Sequence, residues 1–297
     1  MRKNAKEKLK RTLKCLLMGI IFAIGAVMVF VNSGIGHSYI VRSNAEKVSK
    51  NLTAKQAKKN AKKSTSYDVA KTKPVTAKTL FDASHYPALP IGRMSIPAVN
   101  IHNPVFKGFG TQGQNLSYGV CTVLPDRTLG SENNYVLAGH YMGNYGPAIL
   151  DNLHLAKTGD VVYVTDMTQI YAYRIEELTL ALDPHQVSVE DNIPGQSSIT
   201  LITCSDFDVV KYGYGKHRTV AQGTLFAKYP ATKANLIKYE LANRNVSNNQ
   251  PQPQHKTTVS RIKNSPLQRC TLSQIIRIFA IIWVVSMTML ITIIWIG

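Results

Sequence analysis

Two stretches without charge bracket the chain and constrain its outline before any motif is considered. From Cys15 to Val41 there is no Asp, Glu, Lys or Arg, and residues 16–31 are almost wholly apolar. From Ile278 to Gly297 twenty residues carry no charge. A helix rises about 1.5 Å per residue, so roughly twenty apolar residues cross a bilayer core. Both stretches are long enough. The first could be read as a cleaved signal peptide, but its apolar run exceeds an ordinary h-region and no Ala-x-Ala sequence follows it closely. An uncleaved anchor is therefore expected. The Cys15 site is not a lipoprotein site, because the cysteine precedes the apolar run. The resulting plan is a basic N-terminus (1–14), a transmembrane anchor (15–36), a Lys/Ala-rich stalk (37–79), one folded domain (80–230), a polar linker (231–272) and a second transmembrane segment (273–297).

The net charge of +18 belongs to the flanks of that plan. Residues 1–14 carry seven Lys/Arg against Glu7, and residues 42–78 carry eleven against Glu46 and Asp68. The stretch 79–254 holds twelve basic and fourteen acidic residues. A nucleic-acid binder wants a basic face on its folded part, so that class is excluded. Basic flanks beside apolar helices suit anionic lipid or anionic wall polymer. Orientation is not decided by charge, since seven Lys/Arg precede the first apolar segment and six follow it over 42–61.

Between the anchors the pattern is β. Residues 42–66, rich in Ala and Lys, read as a solvated helical or flexible stalk with no seam to bury, and order is expected to begin near Leu80. Ile91–Ile96 and Val99–Phe106 look like strands joined at Pro97-Ala98, and Tyr135–Ala138 is an apolar strand ending at Gly139-His140. Gly146–Leu153 suggests a short helix with Asn144 as cap. Residues 160–165 and 170–182 alternate polar and apolar side chains in β fashion. A loop over Asp183–Gln196 leads to a strand, Ser198–Thr203, that delivers Cys204. A second loop, Ser205–Lys216, precedes a last strand, Arg218–Phe226. About eight short strands with turn signals between them imply a compact barrel or sandwich. There is no internal repeat.

The reactive residues sit at the ends of these strands. Cys204 follows Thr200-Leu201-Ile202-Thr203, His140 closes the run from Tyr135, and Arg218 opens the last strand. A thiolate is the nucleophilic form of cysteine, and a neighbouring imidazole can take its proton or supply a positive charge. A guanidinium can stabilise a negative oxygen. Each residue alone has an ordinary reading: a buried small hydrophobe, a surface histidine, a strand-end charge. Of the four cysteines, Cys15 and Cys270 lie at membrane edges, and only Cys121 could pair with Cys204 within the domain. That bond would remove the nucleophile, so both are expected as free thiols, with Cys121 a packed core residue. No CxxC metal pattern is present.

Together, Leu137-Ala-Gly-His140, Thr200-Leu-Ile-Thr-Cys204 and Arg218 resemble the sortase family, the membrane-anchored cysteine transpeptidases of Gram-positive bacteria. The likeness covers roughly residues 85–228, with weaker echoes at Ile96-Pro97, Pro104-Val105 and Gly159–Tyr163. It implies a closed eight-stranded β-barrel with short helices, flanked by the two transmembrane helices. It also implies that Cys204 attacks the Thr–Gly carbonyl of an LPxTG-like sorting signal. His140 would protonate the departing amine and later deprotonate the incoming one. Arg218 would hold the oxyanion or the substrate backbone. A peptidoglycan-precursor amine, lipid II-like, would resolve the thioacyl-enzyme and complete cell wall anchoring of an LPxTG-bearing surface protein. By the same similarity Ala138, Val187, Val189, Ile202 and Thr203 would bind substrate, the first four lining a pocket for Leu and Pro.

The resemblance places the catalytic domain outside the membrane. Calcium-dependent members carry an acidic cluster before the histidine, where this chain has only Asp126 and Glu132, with Asp191 later, so no metal or other cofactor is expected. The absence of a Thr-Pro pattern after Cys204 and of an Asp-Pro-aromatic lid favours the housekeeping, class A type. The C-terminal apolar segment leans toward the pilin-polymerising type. Two other readings remain open: a thiol protease or hydrolase with the same residues and water as acceptor, and a non-enzymatic, membrane-tethered wall-binding module.

Overall fold

The computed structural model describes residues 2–143, 148–207, 215–242 and 270–296. Eight strands close into a barrel: β1 (Pro90–Ile96), β2 (Ile101–Phe106), β3 (Val120–Thr122), β4 (Asn134–Ala138), β5 (Val161–Thr165), β6 (Gln169–Leu182), β7 (Ser198–Phe207) and β8 (Gly215–Pro230). Around the barrel they run β1-β2-β3-β4-β7-β8-β6-β5, and β5 pairs with β1 to close it. Closure leaves no sheet edge to template aggregation. The core is the inward row of each strand. Ile96, Leu137, Tyr173, Ile175, Ile199 and Leu201 all lie within it, at most 1% exposed. The Tyr173 hydroxyl is not orphaned, because the Gly130 amide donates to it at 3.1 Å.

Six of the eight neighbour pairs, the closing pair included, are antiparallel, but β2–β3 and β4–β7 are parallel. The β4–β7 pair matters most for function. Its register matches Asn134 with Ser198 and Ala138 with Ile202. Parallel strands end at the same rim, so whatever follows Ala138 lies beside whatever follows Ile202.

The barrel is larger at its N-terminal flank than the sequence pattern implied. Helix α1 (Arg2–Asn32) is followed by α2 (Gly34–Ser49) and α3 (Ala54–Ala61), and α4 (Ala77–Ser84) precedes β1. The expected solvated stalk is in fact docked. Val41 is 1% exposed and belongs to the main core, while Leu52 and Ala57 are also buried. The buried Arg93 of β1 donates to the backbone carbonyls of Ser49 and, at 2.9 Å, Leu241. Composition hid this, because one small or branched residue per turn suffices to seat a helix whose lysine stems lie along the surface.

Two further expectations change. Residues 148–155 form turns and one 3-10 turn, Leu153–Leu155, instead of a helix, while Asn144 lies outside the described residues. The Asp151 carboxylate accepts from the Met142 and Ala148 amides, which bends this segment back on itself. And β7 does not stop at Thr203. It pairs with β8 as far as Phe207↔Gly215, so Cys204 sits within the ladder, opposite Arg218.

The terminal helices pack antiparallel. In α6 (Leu272–Ile296, following the short α5, Lys233–Lys238), Trp283 donates from its indole to the Gly19 carbonyl at 3.0 Å, and Trp295 to the Thr12 hydroxyl at 3.1 Å. A Cβ at residue 19 would meet the Met287 sulfur at 2.6 Å, so glycine is what lets the helices approach. Both α1 and α6 are long and apolar enough to cross a membrane.

The docked flank has a measurable consequence. Val41 burial and the Arg93 bond to Ser49 together are worth on the order of 4 kcal/mol. A fragment beginning at residue 80 should therefore melt on the order of 10 °C below one beginning at residue 34, both ending at 242, by differential scanning calorimetry. Equal midpoints would mean that the flank contributes nothing to stability.

Candidate active site

The β4–β7 register converts a distance in sequence into adjacency in space. Ala138 pairs with Ile202, and the same offset carried two residues further sets His140 beside Cys204. The pairing continues past β4: the Gly139 amide donates to the Ile202 carbonyl at 3.1 Å, and the Thr203 hydroxyl to the Gly139 carbonyl at 2.8 Å. On the other side of β7, Cys204 stands directly opposite Arg218 in the antiparallel ladder. Directly opposed side chains there have Cβ atoms about 5 Å apart. Thus the three residues picked out by chemistry meet at one rim.

Alternation along β7 divides its side chains between two faces. Ile199 and Leu201 enter the barrel core. The Thr200 hydroxyl instead lies against Asn134 (2.9 Å) and the Val189 carbonyl (3.2 Å), on the side covered by the β6–β7 connection. Ile202 and Cys204 share that face. Ala138, Val189 and Ile202 are half-buried, and Val187 is 63% exposed in the 3-10 turn Val187–Glu190. The turn that carries Val187 and Val189 forms a wall over this face of β7. Sequence reasoning missed what holds that wall. The Val189 carbonyl accepts from Asn134 (2.9 Å), Thr200 (3.2 Å) and Gln222 (3.2 Å), and the Asn192 side chain accepts from the Asn134 amide at 2.8 Å. Only Thr200 carried any signal, as a member of the tetrad before Cys204.

Burial pushes the His140 imidazole down to about 4, partly opposed by a hydrogen bond to the Lys73 backbone. A bond that favours the charged ring is one the ring donates, so a backbone carbonyl of the docked N-terminal segment holds one imidazole N–H. Near neutral pH the ring is thus uncharged. Cys204 is a half-buried free thiol. Arg218 donates from Nη1 to the carbonyls of Gly215 (3.0 Å) and His217 (3.1 Å), which turns part of its guanidinium toward the start of β8. Cys121 is a free thiol too, fully buried beside Phe106, Leu116 and Tyr118, and desolvation raises its pKa well above the ordinary value, which makes it inert.

Two of the acidic residues weighed for calcium have other partners. Glu132 accepts from the Gly195 amide at 2.8 Å, and Asp126 lies 3.6 Å from Arg127. Among the described residues no three His, Cys, Asp or Glu side chains gather as a metal site. The side chain of Asp206 and the whole of Asp208 lie outside the described residues. A cavity of about 240 Å³ opens beside Cys204, lined by Thr203 among the anticipated binding residues and by none of Ala138, Val187, Val189 or Ile202. Its other walls include Tyr141 and His154, which no motif marked.

Gly215 is the least forgiving neighbour of the nucleophile. A Cβ there would lie 2.6 Å from the Cys204 Cβ and 3.3 Å from its sulfur. Gly215→Ala should displace the thiol and cut the rate of Cys204 acylation at least about tenfold, a loss of roughly 1.4 kcal/mol of transition-state stabilisation. Wild-type acylation in that variant would show that the strand yields at no cost. The uncharged His140 makes a second test. The His140 ring protons, followed by NMR, should titrate with a midpoint near 4. A ring still charged at neutral pH would reveal a preformed thiolate–imidazolium pair instead.

Comparisons with known proteins identify the family. The sortase domain profile matches residues 94–226. The chain is 37% identical to Sortase A of Streptococcus agalactiae over 199 residues, 64% of this chain and 78% of that protein. It is 31% identical to Sortase A of Listeria monocytogenes over 198 residues, 65% of this chain and 84% of that one. The crystal structure of Listeria monocytogenes sortase A superposes with a TM-score of 0.44 at 34% identity, covering 50% of this chain and 96% of its own. A barrel with parallel β4 and β7, and a Cys, a His and an Arg at its rim, is thus found in a chain that belongs to the sortase family of cysteine transpeptidases.

Proposed function

We propose that this chain is a class A-type sortase that cleaves an LPxTG-like sorting signal between Thr and Gly and transfers the protein to a peptidoglycan-precursor amine. The observation that carries this reading is the β4–β7–β8 register, in which the strand leading to His140 and the strand of Arg218 flank the strand of Cys204. The relatives named Sortase A support the class. Cys204 attacks the Thr carbonyl, and Arg218 stabilises the resulting oxyanion. His140 gives a proton to the departing Gly amine, which its low pKa favours once the ring has been charged by the thiol. The acyl group is then held as a thioester. Because a thioester is an activated acyl donor, exchange of one amide for another needs no nucleotide. The incoming amine loses its proton to His140 and displaces the sulfur. Ala138, Val187, Val189 and Ile202 would seat the Leu and Pro of the signal, and Thr203 secures β7 to the strand that carries His140.

Membrane placement belongs to the same proposal. The antiparallel pairing of α1 and α6 supports both chain ends on one side of the bilayer and the barrel on the other. The Lys-rich 1–14 would then be cytoplasmic, residues 15–36 and 273–297 would span, and residues 80–230 would be the extracytoplasmic catalytic domain. Residues 37–79 and 231–272 would link it to the membrane. Its partners would be LPxTG-bearing surface proteins and a lipid II-like amine.

Full-length chain in detergent, mixed with an LPxTG peptide, should give a mass adduct on Cys204 and a ligated product when a glycine-terminated amine is added. Arg218→Ala should slow product formation by about 10²–10³, and Cys204→Ala should abolish it. Hydrolysis that ignores the amine would establish a thiol protease, and activity surviving Cys204→Ala would remove the enzymatic role.

A further inference from the structure

The cavity beside Cys204 is built on the Thr203 row of β7. Thr203 and Thr219, paired across β7–β8, are 4% and 2% exposed and line it. Ser205, on the same row as Thr203, also lines it and donates to the Leu180 carbonyl at 2.8 Å. Thr200 and Ile202, on the opposite row, face the Val187–Glu190 wall. Cys204 thus lies between the Val187–Glu190 turn on one side of the strand and the cavity on the other.

The outer wall of this cavity comes from the β4–β5 connection, immediately after His140. Tyr141 and His154 meet there edge to face, with centroids 6.4 Å apart at 83°. The tautomer of His154 follows from its partner. Its Nδ1 lies 2.8 Å from the Asp151 carbonyl, which can only accept, so Nδ1 carries the proton. In the neutral ring Nε2 is then a lone-pair acceptor, and among the described residues it has no protein partner. Asp151, whose carboxylate ties the Met142 and Ala148 amides, fixes the turn that presents both rings. Among the described residues no Lys, Arg, Asp or Glu lines the cavity. What it offers is a hydrogen-bond acceptor and an aromatic face.

We propose that this cavity is the subsite for the acceptor amine, and that His154 positions that amine through Nε2 while Tyr141 packs against its chain. The inference rests on the transpeptidase reading. If the acyl chain lies along the Ile202 side of β7, as that reading has it, the cavity is the space beside Cys204 left for an incoming nucleophile. A hydrogen-bond acceptor beside an aromatic ring suits a primary amine, since nitrogen donates to Nε2 and an ammonium is attracted to the ring face. With Leu180 on the rim, the space favours an amine on an unhindered carbon. In the transfer step a C–N bond forms and the C–S bond breaks. The thiolate leaves with the bonding pair, and the amine proton passes to His140. His154 orients the nitrogen and is not itself the base.

The test is the partition of a Cys204 thioester between amine and water, in the full-length chain in detergent with an LPxTG peptide and triglycine as probe. This ratio does not depend on how fast the thioester forms. His154→Ala should raise the triglycine concentration that gives half-maximal ligation by about tenfold, leaving the hydrolysis rate of the thioester unchanged. His154→Gln, whose side-chain oxygen can accept in place of Nε2, should recover most of that loss. A thioester that partitions as in the wild type in His154→Ala overturns the subsite. So does a loss in ligation and hydrolysis alike that Gln does not rescue, which marks a merely structural role. Wild-type chain that forms no adduct on Cys204 overturns the transpeptidase reading itself, a result distinguishable from either.

Discussion

The parallel pairing of β4 with β7 is the contact on which the rest of the site depends. Neither strand carries a complete set of reactive groups. β4 delivers an imidazole and β7 a thiol, and each is an ordinary residue until the ladder sets them side by side. Parallel strands cannot be joined by a tight turn, so a long excursion must separate them. Here that excursion contains β5 and β6, which complete the barrel and close it onto β1. Closing the barrel and assembling the rim are thus one act of folding. The antiparallel β8 then brings Arg218 against Cys204 from the other side, and the missing side chain of Gly215 leaves room for the sulfur.

Strand alternation gives β7 two functional faces. One row of its side chains completes the core and, nearer the rim, lines the cavity with Tyr141 and His154. The other meets a wall whose Val189 carbonyl is held by Asn134, Thr200 and Gln222 from three different strands. A carbonyl with three donors is well fixed, so that wall is held firmly against β7. The opposite boundary depends on the buried Asp151, whose carboxyl is raised to about 7 by desolvation despite two backbone donors. The histidine itself is reached by the N-terminal segment through Lys73, which ties the environment of the catalytic ring to residues well outside the barrel.

Much of this was legible in the residues alone. The apolar runs announced two terminal helices, alternation announced the strands, and the interval between His140 and Cys204 turned out to be the offset of the β4–β7 register. These features were readable because periodicity and strand ends are local. The docked flank was not, since Val41, Leu52 and Ala57 are too sparse to form an apolar stripe. Nor was the continuation of β7 beyond Cys204, because a polar Ser-Asp sequence gives the same pattern in a loop as in a rim strand.

By itself the sequence determined which chemical groups the protein has, where its apolar helices lie, and that a β fold stands between them. Only the tertiary structure decided that Val189 is pinned as a wall, that Gly215 makes room for the nucleophile, and that Tyr141 and His154 share a cavity with it. The reason is physical. Side-chain periodicity encodes which face of an element is buried, whereas single contacts between loops and strands distant in the chain leave no periodic trace. They exist only once the barrel has closed.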